Sequence, residues 1–210
     1  MFTTTFPVGP LQCNCSIIAC PETKEAAIID PGGDAEKIMA LIKEQGFTVK
    51  YLLHTHAHFD HFLSSAELKT LTGAKICFHK KDQLLYDNLT AQCMLFGVKA
   101  GKTLPIDHYL VDEEELSIGQ VKASVLHTPG HTPGSLCFNV TDKDALLFAG
   151  DTLFSGSIGR TDLWGGSFDD IIKSIKNRLL ILDDSTQVIP GHGESTNIWE
   201  EKTHNPFLNR

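Results

Sequence analysis

The sequence predicts a mixed α/β chain, and three observations carry that expectation. Eight short apolar runs of strand length recur between residues 15 and 190. Between some of them, apolar residues repeat at helical spacing. The composition, 41% hydrophobic and 21% charged, is that of an ordinary globular protein, and 210 residues suffice for one well-buried domain but are short for two. One domain over residues 1–210 is therefore expected.

In chain order, the strand-like runs are "CSIIAC" (15–20), "AAIID" (26–30), "KYLLH" (50–54), "AKICF" (74–78), "VKASVL" (121–126), "SLCFNV" (135–140), "ALLFAG" (145–150) and "TQVIP" (186–190). They are partly β-branched and bounded by Gly, Pro, Asp or Thr, which interrupt regular structure. After "DPGGD", Asp34 is expected to cap a helix with Ile38, Leu41 and Ile42 on one face, ended by Gly46. After Asp60, the residues Phe62, Leu63, Ala66 and Leu71 suggest a second helix that stops at Gly73. Ser167 and Asp170 resemble a capping box opening a third, with Ile171, Ile172, Ile175, Leu179 and Leu182 on one face. Leu84 and Leu85 suggest a further helix, and "GVKAGKTLP" (97–105) reads as an exposed loop.

Charge and composition narrow the function. A net charge of −8 argues against nucleic acid or an anionic membrane as the main partner, because phosphate binding needs a basic footprint. The N-terminus "MFTTTFPVGP" lacks the basic and apolar regions of a secretory signal, and no apolar run approaches the roughly 20 residues of a membrane span. The six cysteines form no CxxC pair or zinc-ribbon spacing. They are expected to be buried thiols of a cytoplasmic protein, with Cys13 and Cys15 as candidates for reactivity.

The chemistry lies where the apolar runs end. "YLL" leads into "HTHAHFDH" (54–61), "VL" into "HTPGHTPGS" with His131, "ALLFAG" into Asp151, and "QVIP" into "GHG" with His192. If these strands leave their sheets at one end, potential metal ligands far apart in the chain converge there. His56 and His58, two apart in extended chain, point to one side. His56, His58, Asp60, His61, His131, Asp151 and His192 make seven candidate ligands. Zinc takes about four, so seven suit two ions sharing one carboxylate. Asp151 is the natural bridge, since a carboxylate offers two oxygens and an imidazole one free nitrogen. His54 and His127 are expected to pack or hydrogen-bond near the ligands, and His79, His108 and His204 to be exposed.

The motifs "HTHAHFDH", "TPGHTPGS", "FAGDTLF" and "IPGHG", in that order, resemble the metallo-β-lactamase superfamily across most of the chain. The resemblance implies a four-layer αββα sandwich with a metal site at one edge. It implies one ion on His56, His58 and His131, a second on Asp60, His61 and His192, Asp151 shared, and a water or hydroxide between them. Within the superfamily, "GDTLFSGSIGRTDLWGG" (150–166) is most similar to single-domain relatives of glyoxalase II, and also resembles persulfide dioxygenases. Glyoxalase II proper carries a C-terminal helical region that grips glutathione; only residues 193–210 follow His192 here.

These readings lead to an expected hydrolase that holds two divalent metal ions, zinc first, with iron or manganese as alternatives. Its expected partner is a small-molecule acyl thioester, a hydroxyacylglutathione or a related ester, without nucleic acid or membrane. Two cations lower the pKa of bound water towards about 7; Asp60 would orient the nucleophile and Arg160 would bind substrate. The alternatives are a mononuclear-iron persulfide dioxygenase on His56, His131 and Asp151, and a non-catalytic metal-binding protein. β-Lactamase activity is disfavoured: such enzymes are usually exported, and the best-known subclass has cysteine where Asp151 stands.

Overall fold

A computed structural model describes residues 1–141 and 145–209. The strands of the first sheet are β1 (Phe2–Val8), β2 (Cys13–Ala19), β3 (Glu25–Ile29), β4 (Thr48–Leu53), β5 (Lys75–His79) and β6 (His108–Leu110), paired in that spatial order. Then come β7 (Glu115–Ile118), β8 (Val121–His127), β9 (Leu136–Thr141) and β10 (Ala145–Gly150), a small hairpin of β11 (Leu153–Phe154) and β12 (Ser157–Ile158), and β13 (Gln187–Pro190) and β14 (Thr196–Asn197). The second sheet has the order β14-β13-β10-β9-β8-β7. The helices are α1 (Ala35–Gln45), α2 (Ser65–Thr72), α3 (Gln83–Asp87), α4 (Leu89–Leu95), α5 (Phe168–Ser174) and α6 (Ile198–His204).

The apolar runs are continuous rather than alternating because both faces of both sheets are covered. Side chains along a strand point to opposite faces in turn. Ile17, Ile28, Leu52 and Ile76 thus join a core with α1 and α2, contributing Ile38, Ile42 and Leu68. Their neighbours Ile18, Ile29, Leu53 and Cys77 face the other way, towards Phe138, Leu146 and Phe148 of the second sheet. On that sheet the alternate residues Cys137, Leu147, Ala149 and Val188 turn outward to Ile171, Ile175, Leu179 and Ile198. Three apolar layers separate four layers of secondary structure, which is the αββα sandwich. Side chains such as Phe138 and Leu52, fully buried, each contribute about 1.5–3 kcal/mol by leaving water.

Several local expectations are corrected. Asp34 stands at the start of α1 in the left-handed region (φ 52°) and makes no side-chain cap. Its carboxylate instead accepts from the Gly9 N–H, tying the β1–β2 turn to the helix. Gly46 does end the helix, at φ 66°. In α2 the buried apolar residue is Leu68, and Leu71 is 58% exposed, because the helix starts at Ser65 after a separate 3₁₀ turn over Phe59–His61 and its phase shifts accordingly. Ser167 Oγ accepts from Asp170 N, while the Ser167 N–H goes to Gly130 O, so half of the capping box forms. β1, β6, β7, α4 and α6 lie outside the elements expected from the sequence. β1, β6 and β7 lie at sheet edges and α6 carries few apolar residues, whereas α4 is apolar at five of its seven positions without a single helical stripe, so periodicity alone is weak there. Among the described residues, no helix is long and apolar enough to cross a membrane.

Candidate metal centre

β4, β8, β10 and β13 deliver the ligand-bearing segments. In the second sheet β10 is parallel to β13, and β8 and β10 are both antiparallel to β9. Their C-terminal ends therefore emerge at the same edge. Here the backbones are crowded. A Cβ on Gly191 would collide with Asp151 Oδ1, and one on Gly150 (φ 48°) with the Thr55 side chain, so only glycine lets β10, β13 and the His54–His61 segment approach.

All seven candidate ligands meet at this edge. His58 Nδ1 lies 3.1 Å from His56 Nε2 and 3.0 Å from His131 Nε2. His192 Nε2 and His61 Nε2 lie 3.1 and 3.7 Å from Asp60 Oδ2. Asp151 stands between the two groups. Its Oδ2 faces His131 Nε2 at 3.6 Å, and its Oδ1 faces His61 Nε2 at 3.5 Å and His192 Nε2 at 3.9 Å.

Hydrogen bonds on the outer edges of four rings settle their tautomers. His131 Nδ1 donates to Arg160 O at 2.8 Å and His192 Nδ1 to Leu11 O at 3.1 Å, both carbonyls that only accept. His61 Nδ1 donates to Asp30 Oδ2 at 3.0 Å. The Thr55 hydroxyl gives its proton to Asp30 Oδ2 and so accepts from His56 Nδ1. In neutral imidazole a proton on Nδ1 leaves Nε2 as a bare lone pair. In their neutral forms, the four rings therefore aim Nε2 lone pairs at one another and at the carboxylates of Asp60 and Asp151. His61 Nε2 and Asp151 Oδ1 are buried without any hydrogen-bond partner. Among the described residues no lysine or arginine pairs with Asp60 or Asp151; their ion-pair neighbours are all histidines. Such an arrangement is costly unless a cation occupies it, and the donor set fits divalent metal ions.

The electrostatics agree. Burial, reinforced by neighbouring imidazoles, pushes His58 down to about 3 and His56 well below the usual histidine value, keeping both neutral and free to ligate. Burial opposes charge on His61, yet Cys13, Asp30, Asp60 and Asp151 together hold its ring well above that value. Burial also raises the Asp60 carboxyl, but His61 and His192 outweigh it and keep it well below the usual carboxylate range. The second half of the site thus favours positive charge. Cys13 Sγ approaches the same ring at Nδ1, 3.5 Å away, but burial pushes its thiol up to about 12, so it offers no thiolate there.

The loops are held by groups the sequence did not mark. Asp30 accepts from Thr55 N as well as from Thr55 Oγ1 and His61. Asp82, fully buried, accepts from Ala57 N (3.0 Å), Thr132 Oγ1 (2.8 Å) and Gly134 N (2.6 Å), fastening the His56–His58 segment to the His131 loop. Gln92 accepts from Phe59 N and donates to Ala57 O and Leu85 O. Asp30 sits at a strand exit like Asp151, a signal that could have found it; Asp82 and Gln92 carry none. His54 is buried, stacked on Phe62, and donates to His61 O. His127 contacts Pro133 O. His108 and His204 are exposed, but His79 is half-buried and stacked on His127 at 4.3 Å, contrary to expectation.

Arg160 lines the cleft above the ligands, with Asp162. Its Nε and Nη2 donate to the two oxygens of Asp162 at 2.7 and 2.9 Å. Cys13 and Cys15 are fully buried, and burial holds the Cys15 thiol well above its usual value.

Comparison with known proteins places the fold in a family. The chain is 42% identical over 97% of its length to hydroxyacylglutathione hydrolase GloC of Haemophilus influenzae, covering 96% of that protein. The crystal structure of BLEG-1 B3 metallo-beta-lactamase superposes with a TM-score of 0.92 at 39% identity, covering all of both chains. That of TTHA1623 in a di-iron-bound form superposes with a TM-score of 0.86 at 37% identity, over 99% of this chain and all of the other. With residues 8–192 also matching the family model, the chain belongs to the metallo-beta-lactamase superfamily.

Proposed function

We propose that the protein is a dinuclear metal-dependent hydrolase that cleaves a thioester or a related ester. The observation that carries this reading is the division of Asp151, one oxygen towards His131 and the other towards His61 and His192. His56, His58 and His131 would hold one ion, Asp60, His61 and His192 the other, and Asp151 both. Zinc suits this imidazole-rich set; iron and manganese suit it too, and TTHA1623 was crystallised with two irons. Bound there, the ions supply Lewis acidity and a water acidic enough to ionise near neutral pH.

The chain's own residues do the rest. Asp60, largely buried and held as a carboxylate by His61 and His192, orients the nucleophile. The products are a carboxylate and a thiol: the carbonyl carbon gains an oxygen, and the sulfur leaves with the electron pair of the C–S bond and takes up a proton. Arg160 Nη1, the nitrogen not engaged by Asp162, is the substrate-binding donor we propose. The partner is then a small acyl thioester. The similarity to GloC supports a thioester.

The test is thiol release from acyl thioesters by protein of known metal content, run beside oxygen uptake with a persulfide and hydrolysis of a cephalosporin. Thiol release with two metals per chain is expected. Oxygen consumption with one iron per chain and no thiol release overturns the reading in favour of a dioxygenase. Cephalosporin hydrolysis alone overturns it in favour of a β-lactamase, the activity BLEG-1 is named for.

A further inference from the structure

His58, Asp60, His131, Asp151 and His192 form the floor of a cleft of about 440 Å³, within the size range of small-molecule sites. Its walls are strongly apolar. The end of α4 supplies Leu95 and the adjoining Phe96, the loop after Arg160 supplies Leu163 and Trp164, and Leu11 stands beside His192. These side chains are not core: Leu95 is 82% exposed, Trp164 60% and Phe96 53%. Apolar groups gathered in water around a reactive centre are a standing cost that a ligand relieves.

Most of the polar content of the walls is already engaged. Among the described residues, the cleft has three polar or charged side chains outside the seven ligands, Gln92, Arg160 and Asp162. Both ends of the Gln92 amide are bound to backbone. Arg160 and Asp162 cancel in a two-pronged ion pair. Among the described residues, no cation without a carboxylate partner lines the cleft, and Arg160 keeps only Nη1 for a single hydrogen bond to substrate.

We propose that the cleft selects substrates by burying an apolar group beside the scissile carbonyl, and that it discriminates against multiply anionic carriers such as glutathione. The substrate class is a thioester or ester of an aliphatic or aromatic acid on a small, uncharged carrier. This rests on the hydrolase reading above and names the substrate class of that site.

Two substrate series test it. Acetyl, butyryl, hexanoyl and octanoyl thioesters of N-acetylcysteamine vary the acyl group, and glutathione replaces N-acetylcysteamine at constant acyl group. Each added methylene is expected to raise kcat/KM by about threefold until the cleft is filled, and glutathione thioesters to be poorer than their N-acetylcysteamine counterparts. Leu95→Ser and Trp164→Ser should flatten the chain-length series while metal content stays unchanged. A flat series, or a preference for D-lactoylglutathione over the octanoyl ester, overturns the proposal and leaves the hydrolase reading intact.

If no thioester is cleaved, the hydrolase reading fails and the selectivity is read by binding. In a Trp199→Phe background, Trp164 is the sole tryptophan, and its emission should respond to octanoate at concentrations at least tenfold below those of lactate. Equal responses overturn the proposal. So does sedimentation showing a dimer that Leu95→Ser dissociates while chain-length selectivity is unchanged, which would assign the apolar rim to a second copy of this chain.

Discussion

Asp82 is not a candidate ligand, yet removing it should loosen the metal site more than an ordinary core substitution would. Asp82→Ala leaves Ala57 N and Gly134 N as buried donors without an acceptor, whereas the Thr132 hydroxyl can turn to Ser135 Oγ, 2.8 Å away. An orphaned buried donor costs about 1–3 kcal/mol, so the variant should lose about 2–6 kcal/mol. That is a large part of the 5–15 kcal/mol typical of a folded domain. Asp82→Asn keeps one oxygen but turns an amide N–H₂ towards at least one donor, costing about 1–3 kcal/mol. The assay has two readouts: the urea midpoint of metal-free protein and metal affinity by chelator competition. Because the carboxylate joins the loops of His56, His58 and His131, Asp82→Ala should also weaken metal binding about 10–100-fold. Val140→Ala, in the core between the sheets and fully buried, serves as control: it should lower the midpoint and leave metal affinity alone. If both variants change metal affinity equally, or neither does, Asp82 is only a packing residue.

Three further outcomes follow from the geometry. Asp151→Asn puts an N–H₂ where one carboxylate oxygen faced histidine lone pairs, so it should lose one metal and at least about 100-fold in activity; two metals with near-normal turnover would show that Asp151 is not the bridge. Cys13 and Cys15, buried and with raised pKa, should resist a disulfide reagent at pH 8 in the native protein and react once urea unfolds it; native labelling mapped to either thiol would refute this. Burial, with His127 and Lys81 adding to it, lowers His79 to about 4, below its unfolded value near 6.5. The native state then binds fewer protons than the unfolded chain between those values, so stability falls as pH drops from 6.5 towards 4. The metal-free His79→Phe variant should show a shallower loss of urea midpoint than the parent between pH 7 and 5; parallel curves would mean that His79 does not contribute.

Much of this protein was legible before any coordinates. The apolar runs marked the central strands, and Gly46 and Gly73 marked helix ends, because strand and helix periodicities and the need for glycine at left-handed positions act over a few residues. Each ligand lies in the segment that follows a strand, so the seven candidates could be named from local sequence alone. What local sequence could not decide is which atoms face each other. The inward lone pairs of His56, His61, His131 and His192 depend on acceptors at Thr55, Asp30, Arg160 and Leu11, the last of them 181 residues from His192. Asp82 reads as an ordinary charged residue at the head of α3 until packing sets it against Ala57 and Gly134. Leu95 and Trp164, apolar but exposed, face a common cleft only because α4 and the loop after β12 are brought together from opposite sheets. Hydrogen bonds and apolar contacts at such separations are properties of the packed chain, and only tertiary structure assigns them.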